Sequence, residues 1–185
     1  MYTPEALLDI MERVQHGNKN ILEHCRRFSH DELHRRLPGF GFPSVQGQLF
    51  HMINAEQYWL MVLTGRFADG ETFTEQEKYD WTIANFSDID ALEDYRQRVY
   101  AVTVDYISGM TPEELVRPRE VFCDPGVKEV QIPVHVLMRV ATHYFHHRGT
   151  LAAMCRTLEH PVPEAYAFLD YPLHEQPPFT EHQEQ

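Results

Sequence analysis

The sequence predicts an all-α protein: an antiparallel four-helix bundle with a long connection between helices two and three and a small hairpin or extended loop before helix four. Three observations carry this. Four long segments repeat apolar side chains at steps of three and four, the period of a helix with one buried face. Residues that favour strands gather only around Asp124-Pro125-Gly126. The breaks between periodic segments are rich in Gly, Pro and capping residues.

Helix one opens at Thr3, a capping residue, with Pro4 suited to the first helical position and Glu5 near the positive end of the dipole. Leu7, Met11, Val14, Ile21 and Cys25 line one face, interrupted by Asn18. That Asn is either solvated at the helix edge or pointed into a polar pocket. Ser29 to Glu32 forms a capping-box pattern for a short turn of helix, and LPGFGFP from Leu37 to Pro43 then breaks the chain. Helix two runs from about Ser44 to Thr64 with Gln48, His51, Ala55, Tyr58 and Val62 on one stripe.

Gly65 to Asn85 loses the period and reads as a long connection without an element of its own, long enough to permit a crossover. Ser87 and Asp90 are the expected caps of helix three, whose stripe is Leu92, Tyr95, Val99, Val102 and Tyr106, ending near Gly109. TPEEL starts a further short turn, and REVFCDPGVKEVQIP reads as the hairpin or extended loop. Helix four spans about Pro133 to Leu158, with Val136, Val140, His143, His147, Leu151, Met154 and Leu158 in its core-facing stripe. The expected domain is 1–163; the proline-rich, acidic remainder, 164–185, reads as an extended or disordered tail.

The 185 residues suffice for one domain with its own core, and 43% hydrophobic with 24% charged residues is ordinary for a globular protein. A net charge of -12 with 16 scattered basic residues argues against a nucleic-acid surface. Small molecules or copies of the chain itself are the expected partners. No stretch approaches the ~20 apolar residues needed to span a bilayer, and the acidic start MYTPEALLDI is unlike a signal peptide, so a cytoplasmic protein with no membrane partner is expected. Cys25, Cys123 and Cys155 form no C-x-x-C and no even framework, which fits a reducing compartment.

The chemistry concentrates in THYFHHRG, Thr142 to Gly149. His143 and His147 stand one turn apart on one face, with Cβ atoms about 6 Å apart, so both rings can reach a single ion. His51 lies on the inner stripe of helix two, with Gln48 and the small Ala55 on adjacent turns. Burying three imidazoles without partners costs on the order of 1 to 3 kcal/mol each, whereas one shared ion satisfies all three. His146 competes as a ligand at i, i+3, but it is rotated about 100° from the stripe that passes through His147; it is expected to face solvent or to sit beside the ligands. The remaining histidines, His16, His24, His30, His34 and His135 among them, read as surface residues.

SVQGQLFHMINAEQYWLMVLTG, followed by PVHVLMRVATHYFHHRGTLAAMCRTLEHPVP, resembles the DinB/YfiT-like superfamily of metal-binding four-helix bundles. There one His of the second helix joins an H-x-x-x-H-R-G-Q motif of the fourth. The match rests on His51, His143, His147 and Arg148-Gly149; the chain departs from it at Thr150, where the family has Gln. The resemblance implies a divalent ion, often zinc or nickel, bound by three histidines with positions left to water, and frequent homodimers. It also implies enzymes such as thiol S-transferases using mycothiol or bacillithiol, or a mycothiol-dependent maleylpyruvate isomerase.

The function expected from this site is therefore that of a metal-dependent thiol S-transferase that activates a small thiol cofactor against an electrophile. Asn18, Gln48, Tyr58, His146 and Arg148 are the candidates for contact with substrate or ligands, although Tyr58 also fits core packing and Arg148 a surface charge. Metal-assisted hydrolysis ranks behind, because a general base is wanted beside the water and Glu56, about 140° around the helix from His51, faces elsewhere. A non-catalytic metal- or ligand-binding bundle ranks third, since a structural ion takes four protein ligands.

Overall fold

A computed structural model describes residues 2–68 and 72–163. The predicted tail, 164–185, lies outside the described residues. Four long helices form the body: α1 Pro4–Cys25, α3 Val45–Thr64, α5 Ile89–Ser108 and α7 Pro133–Thr157. Short helices α2 His30–His34, α4 Glu75–Asp80 and α6 Pro112–Val116 sit in the connections, with the antiparallel hairpin β1 Arg119–Asp124 and β2 Val127–Gln131 before α7.

Local chemistry sets most of these boundaries. Thr3 caps α1 by accepting from the Ala6 amide at 3.2 Å, and Ser44 caps α3 through Gly47. The Ser29–Glu32 capping box opens α2 as its sequence pattern requires. Gly65 ends α3 with φ 78, in the left-handed region where a Cβ is penalised. Gly126, with φ 77, turns the hairpin.

Side-chain contacts fix the helix directions. Arg26 pairs with Asp90 and Gln15 meets Arg96, so α1 and α5 are antiparallel. Gln48 meets His147 and Glu56 meets Tyr144, so α3 and α7 are antiparallel. Gln46 bonds the Phe86 carbonyl just before α5 and Asn54 bonds Tyr95 within it, so α3 and α5 run the same way. The long connection makes that parallel pair possible by carrying the chain back across the bundle, the crossover its length permits.

The core is Leu, Val, Ile and Met from all four long helices, with Val14, Leu92, Leu151 and Met154 fully buried. Each such side chain contributes roughly 1.5 to 3 kcal/mol by leaving water. A smaller cluster, Met61, Val62, Phe67, Val121 and Cys123, seats the hairpin on the second half of α3. Cys25, Cys123 and Cys155 are all buried free thiols.

Four expectations are corrected. The stretch 65–85 holds α4 and a 3-10 turn at Ile83–Asn85; Thr74 and Glu77 form a second capping box within it. Asp88, not Ser87 or Asp90, caps α5, its carboxylate accepting from the Ala91 amide. Val102 is 51% exposed, while Arg96 and Thr103 occupy the inner face of α5. His24 is no surface residue: it is buried, and its Nε2 meets the carbonyl of His160 at 2.9 Å. Among the described residues no helix is long and apolar enough to cross a membrane.

Candidate metal centre

The antiparallel packing of α3 on α7 brings His51 to the face carrying His143 and His147. One ring nitrogen from each of the three lies within 4.8 Å of the others, a group that could hold a metal ion. The His143 Nε2 is 3.1 Å from the Nε2 of His51 and 2.9 Å from that of His147.

Burial lowers all three rings to about 4, each reinforced by a neighbouring histidine whose positive charge would repel its own. At neutral pH they are uncharged. A neutral imidazole nitrogen carries either one in-plane N–H or one lone pair. The His143 Nε2 therefore satisfies only one of its two neighbours by hydrogen bonding, whereas a cation accepts a lone pair from each ring at once. The donor set fits a divalent ion.

Gln48, 1% exposed, places its side-chain amide against the His147 Nδ1. The atom it presents is the amide nitrogen Nε2; a half-turn of the amide would present its carbonyl oxygen instead, accept a proton at Nδ1 and leave the His147 Nε2 lone pair to the cluster. Phe42, from the loop before α3, stacks on the His51 ring at 3.7 Å between centroids and stands edge-on to His147 at 6.2 Å.

The other candidates fall in different places. His146 is exposed, its ring edge-on to His147 at 4.7 Å. Arg148 is 6% exposed, so the surface-charge alternative is corrected; its guanidinium lies 5.5 Å from the Phe145 ring and against Gly17, where a Cβ would come within 2.8 Å of the Arg148 Cζ. Burial lowers its pKa. Asn18, next along α1, is 2% exposed, and neither side-chain atom has a hydrogen-bond partner. This removes the solvated alternative. Tyr58 is not brought to the histidines: its hydroxyl donates to the Cys123 carbonyl at 2.7 Å, and its ring packs with Trp59 and Phe67 under the hairpin.

The helical period gives no place to Phe42 and no role to Glu56. Phe42 sits in the Gly- and Pro-rich break LPGFGFP, where helical period says nothing about where a ring will land. Glu56 does turn away from the histidines, but into the centre of the bundle, 1% exposed. Gln15 donates to it at 2.7 Å, Thr103 at 2.5 Å and Tyr144 at 2.6 Å, so α1, α5 and α7 all meet at one carboxylate of α3. Desolvation raises its pKa against those three hydrogen bonds and the nearby Arg96. Arg96 in turn donates to Gln15 at 3.0 Å and is paired with Glu93.

A family model for the DinB family matches residues 1–178. A search of curated proteins finds none that matches the chain.

Proposed function

The chain belongs to the DinB family, and from that premise we propose that it is a divalent-metal-dependent thiol S-transferase, with His51, His143 and His147 holding zinc or nickel. The observation that supports this is the convergence of one neutral ring nitrogen from each of three histidines within 4.8 Å, a donor set that could hold a cation and would leave coordination positions to other ligands. A divalent ion there supplies positive charge that keeps a small thiol cofactor in its nucleophilic thiolate form at neutral pH.

The chain's own residues prepare the site for that chemistry. Burial keeps the rings unprotonated, Gln48 holds the orientation of His147 through its Nδ1, and Phe42 covers one face of His51. No carboxylate joins the cluster among the described residues. The nearest on α3, Glu56, is committed to three donors in the core, and this favours thiol activation over activation of water. The three buried free cysteines suit a reducing, cytoplasmic setting. We infer a homodimer as the working form, with Phe73, Tyr79 and Trp81 of the long connection, each more than a third exposed, on the packing face; Phe67, the fourth aromatic expected there, is 4% exposed and packs into its own chain.

The test is elemental mass spectrometry of untagged protein purified without chelators, joined to conjugation assays with small thiols and a chlorodinitrobenzene. About one ion per chain, lost in His51→Ala, His143→Ala and His147→Ala but kept in His146→Ala, together with metal-dependent conjugation, is the expected result. A metal-free, folded wild type, or a loaded protein that conjugates no thiol, would overturn the proposal. Light scattering at micromolar concentration checks the dimer; a monomeric mass excludes it.

A further inference from the structure

We propose that Phe42 is a specificity-determining wall of the histidine site, selecting thiols whose sulfur carries an aromatic or other flat apolar group. This rests on the metal reading above and adds the class of ligand that the site prefers.

The loop that carries Phe42 is built to hold it in place. The Leu37 amide donates to the Pro43 carbonyl at 2.6 Å, closing residues 37–43 into a ring-like turn anchored by the buried Leu37. Gly39 takes φ 92, a left-handed conformation that few other residues adopt cheaply, and Pro43 fixes the approach to the Ser44 cap of α3. Phe42 is thus tied to the helix that carries His51. Its ring lies nearly parallel to the His51 ring, with 17° between the planes, and 73° from that of His147.

Phe42 is nevertheless 38% exposed, so part of its ring stays open to an incoming group. It stacks on one of the three histidines and stands edge-on to a second while remaining partly in water, so part of the cluster's rim is apolar. A ligand reaching the histidines past this rim gains by offering its own flat apolar surface, in offset or edge contact worth a few-fold in affinity. A small polar thiol gains nothing from it. A thiol held at a cation on His51, His143 and His147 would be bound as its thiolate, its proton passing to the buffer, with nothing oxidised or reduced.

The experiment uses the full chain loaded with cobalt(II), titrated separately with benzyl mercaptan and with mercaptoethanol while the sulfur-to-cobalt charge-transfer absorption is followed. Wild type is expected to bind benzyl mercaptan more tightly. In Phe42→Ala that affinity falls roughly three- to tenfold, while mercaptoethanol changes by less than about twofold. Phe42→Tyr, which keeps the ring, retains the preference. Equal losses for both thiols in Phe42→Ala, or a wild type that does not discriminate, would overturn the proposal. Failure of the wild type to take up cobalt would instead overturn the three-histidine reading beneath it.

Discussion

Five residues apart on α3, the bundle holds two polar clusters that solve opposite problems. At Glu56 a buried carboxylate receives hydrogen bonds from Gln15, Thr103 and Tyr144, one from each of the other long helices. At His51 three uncharged rings turn their Nε2 atoms on one another, and the central one satisfies only one of its two neighbours. The first cluster is complete within the chain; the second leaves nitrogens that could hold a metal ion. A buried carboxylate with a full set of donors locks helix register, while convergent, under-satisfied nitrogens at a half-buried rim mark a ligand site. The same low-dielectric setting serves both, raising the Glu56 pKa and lowering those of the histidines.

The largest expected effect separates the two outright. His143→Ala, removing the nitrogen that contacts both other rings, should take metal occupancy from about one per chain to near zero by elemental analysis, with the fold retained by circular dichroism. Glu56→Ala should do the reverse kind of damage. Three buried donors lose their acceptor, and stability should fall by roughly 3 to 5 kcal/mol in urea denaturation of the metal-free protein. A loss below about 1 kcal/mol would show that the hub contributes no register.

Gln48→Ala tests a partner that belongs to the histidine cluster without being a ligand. Metal affinity should drop about 10- to 100-fold in chelator competition, with stability of the metal-free protein nearly unchanged. An unaltered affinity would mean that His147 is oriented by packing alone.

The pH dependence sharpens the comparison because the two clusters have opposite signs. Folded-state histidine pKa values near 4 lie below the unfolded value of about 6.5. The unfolded chain therefore binds more protons between these limits, and the associated stability is full above about 6.5 and lost as pH falls toward 4. Glu56, raised on folding, contributes in the opposite sense, being most favourable below its unfolded pKa and losing that contribution as pH rises. Metal-free wild type should lose more stability between pH 7 and 5 than His51→Ala does in parallel denaturations; equal losses would assign the acid sensitivity to other groups. The smallest effect is expected at Gly17→Ala, where the new methyl meets the Arg148 guanidinium. A cost of about 1 kcal/mol with metal content intact is expected, and a gain in stability would show that the guanidinium moves freely.

The four long helices, the caps of α1 and α2 and the histidine pairing on α7 were legible in the sequence because they depend on local period and local hydrogen bonding. Thr3, the Ser29–Glu32 box and the i, i+4 spacing of His143 and His147 carry their own geometry. The second capping box, at Thr74 and Glu77, was equally legible as a pattern, but its helix is too short to show an apolar period. What escaped was everything set by a neighbour. Val102 sits on an apolar step of α5 yet faces water, because the inner face there is taken by Arg96 and Thr103 reaching into the polar hub. Arg148 and Glu56 read as exposed or misdirected charges until the facing helices supply Gly17 for the one and three donors for the other.

The sequence by itself determined that this is a helical bundle and that His143 and His147 share a face, since periodicity and spacing are properties of one chain segment at a time; it offered His51 as the third imidazole, and the packing of α3 on α7 brought it there. The tertiary structure alone decided that α3 and α5 run in parallel, that Gln48 serves His147, that Tyr58 serves the hairpin, and that Phe42 roofs His51. These are choices between contacts far apart in sequence. They are settled by which helices pack together and how they are rotated, and a helical period leaves both free.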